Sequence, residues 1–285
     1  MTHAGTRQWS ALIELVRPSK PVAAASFVLL GAYLAAPPSQ LVSAPTLLAA
    51  CVVLLVTAFG FVVNDCYDLA VDALGKPHRP IPSGRVSGGF AAAFAGLLAA
   101  AALALSAILG WGFAMITLGA VVLSWAYSYR LKNTLLLGNG AVALLVVAAL
   151  IYGALTGGPP GAAVWIAAAI SFPYIVAQEA LFNLEDEDQD RSAGLHTTAT
   201  RLGADRTARL VRAILAVFIV LALVPPAVGL ASASYFVAAL ALLALPAGIL
   251  IRLLRRPLSP AAVARAAKLS RLVWVASFVP LGLLK

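Results

Sequence analysis

Apolar positions along this chain come in long unbroken runs, not in the stripes or alternations of elements half-exposed to water. Nine runs stand out, near residues 21–37, 44–63, 88–109, 111–127, 135–156, 161–182, 208–230, 232–251 and 268–284. Each approaches the roughly 20 residues that a helix needs to cross a bilayer. Lipid offers no partner for open backbone N–H and C=O groups, so crossing segments are helices or strands of closed barrels. Barrel strands alternate apolar and polar residues, and these runs do not. The pattern predicts an all-α integral membrane protein, a bundle of nine transmembrane helices in a single domain over residues 1–285.

The connections alternate in kind. Those at 37–43, around Gly110, at 157–160 and around Ala231 are short and uncharged. Those at 64–87, 128–134, 183–207 and 252–267 hold almost all the ionisable groups. Of the 20 Lys and Arg residues, every one except Lys285 falls in the N-terminal arm, in these four loops or at their helix ends. Positive charge stays on the cytoplasmic side. The expected placement is therefore a multi-pass protein of the inner (plasma) membrane, with its N-terminus and charged loops cytoplasmic and its C-terminus outside. An odd number of crossings agrees.

Composition sharpens this picture. Charged residues make up 11% of the chain and hydrophobic ones 62%, with a mean hydropathy of +0.95, whereas soluble domains carry about 25% charged residues. The net charge of +9 is thus an orientation signal, and no nucleic-acid partner is expected. Cys51 and Cys66 lack metal or disulfide spacing. Residues 1–20 are polar and basic, and the first run ends in Pro37-Pro38 without a signal-cleavage pattern.

The acidic residues are more telling. Eight of eleven fall in two short clusters. After the second run come Asn64-Asp65-Cys66-Tyr67-Asp68-Leu69-Ala70-Val71-Asp72, in which Asn64, Asp68 and Asp72 are spaced i, i+4, i+8 and share one helix face. Asp65 points about 100° away from Asn64 on the same helix. After the sixth run come Asn183-Leu184-Glu185-Asp186-Glu187-Asp188-Gln189-Asp190, and Glu179, Asn183, Asp186 and Asp190 form a second stripe. Crowded carboxylates resist ionisation unless a cation neutralises them. Oxygen-only donor sets suit Mg²⁺, which binds through a few carboxylates plus substrate phosphates. Two such clusters on one membrane side are what a diphosphate requires, the metal ions offsetting the charge that grows as it leaves. The bland alternative is solvated loop charge.

At these residues the chain resembles the UbiA superfamily of intramembrane prenyltransferases. The first cluster matches that family's N-D-x-x-D-x-x-x-D and continues into Arg79-Pro80-Ile81-Pro82-Ser83-Gly84. Tyr127-Ser128-Tyr129-Arg130-Leu131-Lys132, leading to Leu137-Gly138-Asn139, is similar to a further family segment. So are Glu185-Asp186…Asp190-Arg191…Thr197-Thr198 and the Arg17-Pro18 pair. The resemblance implies a helical bundle whose cytosolic caps close over a central cavity. It implies Mg²⁺ held by Asn64, Asp68, Asp72, Asn183, Asp186 and Asp190, with the four aspartates catalytic. It further implies a polyprenyl diphosphate donor contacted by Arg17, Arg79, Tyr127, Ser128, Arg130, Lys132 and Arg191, and an aromatic or other lipid-forming acceptor. Each basic residue also has a plain reading as a positive-inside charge. Tyr67, Tyr127, Tyr129, Phe172, Tyr174 and Phe182 are aromatic candidates to shield an allylic cation, or ordinary packing.

Two positions depart from the family pattern. Phe182 and Asn183 stand where many members carry a basic residue and an aspartate, which thins the expected acceptor contacts. That leans toward an alternative, a terpene cyclase that quenches the cation within its own chain. A transporter is the remaining reading. Against it, the acids cluster at one membrane face instead of the midplane, and no internal repeat is seen.

Overall fold

Serine caps open several of the long helices. The Ser43, Ser87, Ser232 and Ser259 hydroxyls accept from the backbone N–H three residues on, and proline near the first helical position follows Ser43 and Ser259. The computed structural model describes residues 2–285, with side chains from Trp9 onward. In chain order the helices are α1 (Thr2–Val16), α2 (Ser19–Ala35), α3 (Ala44–Tyr67), α4 (Leu69–Gly75), α5 (Gly88–Leu109), α6 (Trp111–Tyr129), α7 (Leu137–Ala154), α8 (Ala162–Glu185), α9 (Glu187–Ser192), α10 (Thr198–Leu202) and α11 (Ala204–Ala227). Then come α12 (Ala233–Ala239), which runs through a π-helical turn at Leu240–Ala244 into α13 (Leu245–Leu253), α14 (Pro260–Ala276) and α15 (Phe278–Gly282). There are no strands among the described residues.

Seven of these helices are long and apolar enough to cross a membrane: α3, α5, α6, α7, α8, α11 and the continuous Ala233–Leu253. The chain is a multi-pass membrane protein. The first expected run forms α2, which is apolar but only 17 residues long. The ninth is divided: α14 carries Arg265, Lys268 and Arg271 and ends at Ala276, and α15 follows after Ser277. Leu97, Ile108, Trp111, Val217 and Val220 lie exposed on their helices, which is the placement expected where the surroundings are hydrocarbon and not water.

The chain divides into two compact units. The first holds the chain through Ala32, Ala36–Leu131 and Ala148–Gly158. Its centre is α3 packed on α5 and α6, with Ala11 and Leu15 of α1 closing over Ala58, Phe59, Val62, Ala91 and Ala95. Small residues bring helices together. At Gly31 a Cβ would sit 1.9 Å from the Leu150 carbonyl oxygen, and at Gly153 1.9 Å from that of Val28, so α2 and α7 meet at backbone contact.

The second unit holds Tyr33–Ala35, Lys132–Val147 and Pro159–Lys285. There α8 packs on α11 and α14. Its buried tyrosine hydroxyls are paired, as burial away from water favours. The Tyr174 hydroxyl donates to the Ser270 carbonyl at 2.5 Å, and the Tyr235 hydroxyl to the Ala222 carbonyl at 2.8 Å.

Candidate functional site

In the first unit the acidic motif sits where a long helix breaks. The 24-residue α3 ends at Tyr67, Asp68 takes φ −88°, ψ 6°, and α4 resumes at Leu69. The i→i+4 pitch survives the break, because the N–H of Asp68 bonds the Asn64 carbonyl (2.9 Å) and that of Asp72 the Asp68 carbonyl (2.7 Å). Asn64, Asp68 and Asp72 therefore keep the register read from their spacing. The Asn64 side-chain NH₂ donates to Asp68 Oδ2 at 2.7 Å.

Asp65 lies two helical turns before Asp72 and, like it, is buried, at 3% exposure. Arg17 donates to its Oδ1 at 2.5 Å, and Arg79 reaches the same oxygen at 3.4 Å while also donating to Asp72 Oδ2. The Arg17 guanidinium lies 5.1 Å from the Phe61 ring centroid. Two arginines from outside the motif thus neutralise its two buried carboxylates, Asp65 and Asp72. Arg85 pairs with Glu14 at 2.8 Å and ties the segment after the motif to α1. Of the other residues marked from the sequence, Tyr127 is half-buried and Ser128 buried, its hydroxyl donating to the Ser124 carbonyl at 3.1 Å. Arg130 is exposed at the end of α6. Tyr67 and Tyr129 cluster with Trp125, whose indole N–H donates to the Tyr67 hydroxyl at 3.0 Å. Half-exposed and amphipathic, the three have the character of a membrane-interface belt.

The second unit repeats this construction. The 24-residue α8 ends at Glu185, Asp186 takes φ −97°, ψ 8°, and α9 follows. Again the pitch is kept, through Asp186 N–H to the Phe182 carbonyl and Asp190 N–H to that of Asp186, both 2.9 Å. Asp186 is exposed and Asp190 half-buried. Asn183 occupies the place that Asp65 holds in the first motif, three residues before the break. Its surroundings are neutral. Asn139 Nδ2 donates to Asn183 Oδ1 at 2.9 Å, the Thr198 hydroxyl donates to Asn139 Oδ1 at 2.7 Å, and the Leu136 N–H donates to that hydroxyl at 3.1 Å. Lys132 lies in a short 3₁₀ turn, Leu131–Asn133. Arg191 pairs with Glu187 within α9 at 2.6 Å.

At Phe182 the structure supplies what the residue lacks. The Arg271 guanidinium of α14 stacks 4.7 Å from its ring centroid and donates to Glu185 Oε2 at 2.8 Å. A cation therefore stands beside the second motif, delivered from a distant helix. Asn139 and Thr198 lie in segments quoted above, but nothing in the sequence linked them to Asn183. Arg271, 89 positions after Phe182, gave no signal at all.

Among the described residues no three His, Cys, Asp or Glu side chains converge as a ready-made metal site. The donor chemistry nonetheless fits Mg²⁺. Each motif presents carboxylates with an amide one helical turn or less away, and Mg²⁺ completes its shell with water and substrate phosphate oxygens instead of a full protein cage.

Comparison with known proteins agrees with this construction. Residues 24–272 match the model of the UbiA prenyltransferase family. A digeranylgeranylglyceryl phosphate synthase from Methanopyrus kandleri is 36% identical over 275 residues, covering 96% of this chain and 97% of that one. The synthase of the same name from Sulfolobus acidocaldarius is 37% identical over 171 residues, 59% of this chain; the match spans 61% of that relative's length. In fold, the chain superposes with a TM-score of 0.79 on a structure described as giving insights into digeranylgeranylglyceryl phosphate synthase in membranes, at 20% identity and covering 96% and 97% of the two chains. A UbiA homologue from Archaeoglobus fulgidus bound to GPP and Mg²⁺ matches with a TM-score of 0.72, 21% identity and coverage of 95% and 99%. The enzyme class expected from the aspartate motifs is that of these relatives, and the chain belongs to the UbiA prenyltransferase family.

Proposed function

We propose that this protein is a Mg²⁺-dependent prenyltransferase that ionises an allylic polyprenyl diphosphate and passes the prenyl group to a lipid-forming acceptor. The observation that carries the reading is the duplicated helix break. Asp68 and Asp186 each end a 24-residue helix in nearly the same backbone conformation, each with a second aspartate four residues on. Asn64, Asp68 and Asp72 with Asn183, Asp186 and Asp190 would hold Mg²⁺, which when bound offsets charge growing on the departing diphosphate. Arg17, Arg79, Arg130, Lys132 and Arg191, with Tyr127 and Ser128, would orient the diphosphate. Apolar helices would exclude water from the allylic cation.

In this proposal the chain acts as one membrane domain with nine crossings, α2 and the α14–α15 pair included. The motif ends serve as cytosolic caps in the inner membrane, and the C-terminus lies outside. The name of the relatives supports a glycerophosphate-type lipid acceptor, and Arg271 beside Phe182 supports transfer over internal cyclisation because it restores a polar contact there.

The test uses membranes containing the protein, Mg²⁺ and geranyl, farnesyl or geranylgeranyl diphosphate, with and without a geranylgeranylglyceryl phosphate acceptor. A product heavier than the acceptor by one prenyl group is expected. A cyclic terpene released without acceptor overturns the proposal in favour of the cyclase. Absence of diphosphate release under every condition overturns both.

A further inference from the structure

We infer that Arg79 is a placeholder cation that occupies Asp72 in the metal-free protein and yields it when a divalent ion arrives. The inference rests on the metal reading above and deepens it. Arg79 bridges two carboxylates: it donates to Asp72 Oδ2 and reaches Asp65 Oδ1 at 3.4 Å. Asp72 is 5% exposed. A buried charge is costly unless it is paired, and Arg79 supplies the pairing at Asp72. Arg17 pairs with Asp65 and not with Asp72.

The two arginines therefore differ in kind. Arg17 joins α1 to Asp65, which is not among the residues proposed to hold the metal. Arg79 sits on a member of that stripe, so a divalent ion and the Arg79 guanidinium compete for the same carboxylate. Its second bond, to Asp65, gives Arg79 a point of attachment that does not depend on Asp72. Released from Asp72, its fork of donors becomes available to the phosphate oxygens that accompany the ion. A motif built this way exchanges one cation for another at Asp72 and does not leave that buried carboxylate without a partner.

The experiment measures Mn²⁺ binding to the purified full-length protein in detergent, without prenyl diphosphate, by the loss of the free Mn²⁺ electron-paramagnetic-resonance signal. Removing the competitor in R79Q should tighten Mn²⁺ binding roughly tenfold, since the guanidinium is in direct contact with the ligand, while R17Q, acting only through space, should change it by less than about threefold. In a D72N background the R79Q gain should vanish, because the contested carboxylate is gone. R79K, which keeps the charge, should bind Mn²⁺ within about twofold of the parent protein, which also shows that the position tolerates substitution. With Mg²⁺ saturating, R79Q should raise KM for the diphosphate more than it lowers kcat. Equal effects of R79Q and R17Q, or a gain that persists in D72N, overturn the inference while leaving the metal reading intact. Absence of Mn²⁺ binding in the parent protein overturns both.

Discussion

The two acidic motifs share a backbone and differ in charge. Each closes a 24-residue helix, breaks at an aspartate and resumes in a short helix without losing the i→i+4 pitch. At the position three residues before the break, the first motif places Asp65 and answers it with Arg17 and Arg79. The second places Asn183 and answers it with Asn139 and, through it, Thr198. An ionised carboxylate needs a cation when buried, whereas an amide needs only a hydrogen-bond partner. The lesson is that the aspartates at and after the break are common to both motifs, and the residue three positions before is a brace whose chemistry each half has solved separately. The first motif consequently has arginines close to its stripe. In the second, Arg271 stands on the ring of Phe182 and Arg191 pairs with Glu187 within α9.

The largest expected effect tests what is shared. D68A and D186A should each lower turnover at saturating Mg²⁺ by at least on the order of 10²–10³-fold, the scale of losing a group that stabilises the departing charge. Membrane insertion and expression should be unchanged, because neither side chain belongs to a packed core. Kinetics on reconstituted protein, with protease protection to check topology, decides the matter. If one variant stays active and the other does not, the two halves are not equivalent and the parallel built on their backbone is broken.

The next effect tests what differs. D65N strands the Arg17 guanidinium and takes from Arg79 the longer of its two carboxylate contacts, and it should destabilise the protein by about 2–3 kcal/mol. That is less than for a fully buried pair, because the Arg17 and Arg79 side chains keep 27% and 19% exposure. In the second motif N139A removes a neutral partner and leaves the half-buried Asn183 amide and the buried Thr198 hydroxyl less well satisfied, at about 1–2 kcal/mol. Thermal unfolding of both variants in the same detergent gives the comparison directly. A larger loss in N139A than in D65N would mean that the neutral brace, and not the ionic one, bears more of the stability.

Much of this was legible in the chain. Uninterrupted apolar runs predict helices because lipid permits only helices or closed barrels and barrel strands alternate, and the observed helices begin and end within a few residues of eight of those runs. The i, i+4, i+8 spacing located the Asn64–Asp68–Asp72 face, whereas the 100° step from Asn64 gave no hint that Asp65 shares the Arg79 guanidinium with Asp72. Other features were closed to that reading. The break at Asp68 leaves the spacing intact, so periodicity passes straight through it. The brace of Asp65 joins residues 48 positions apart, and that of Asn183 joins residues 44 apart. Such contacts depend on how helices pack, and local pattern holds no trace of them. Phe182 shows the limit most clearly, since its sequence identity argued for a lost cation and its surroundings supply one.

That cation provides the smallest and most discriminating test. Arg271 is more than half exposed and its partner Glu185 partly so, so solvent screens the pair, and R271A should change stability by no more than about 0.5–1 kcal/mol, ion pair and ring contact together. Its electrostatic reach is another matter. If Arg271 serves the second motif as the arginines serve the first, R271A should raise KM for the prenyl diphosphate by about threefold to tenfold with kcat nearly unchanged. R271K, which keeps the charge but cannot lie flat on the Phe182 ring, should fall between. F182A separates the two functions of the ring, because it removes the surface that holds the guanidinium while leaving the ion pair to Glu185. A KM raised in F182A as in R271A would show that the stacking sets where the charge points. A KM unmoved in both would place the diphosphate-binding cations elsewhere than at the Phe182 ring.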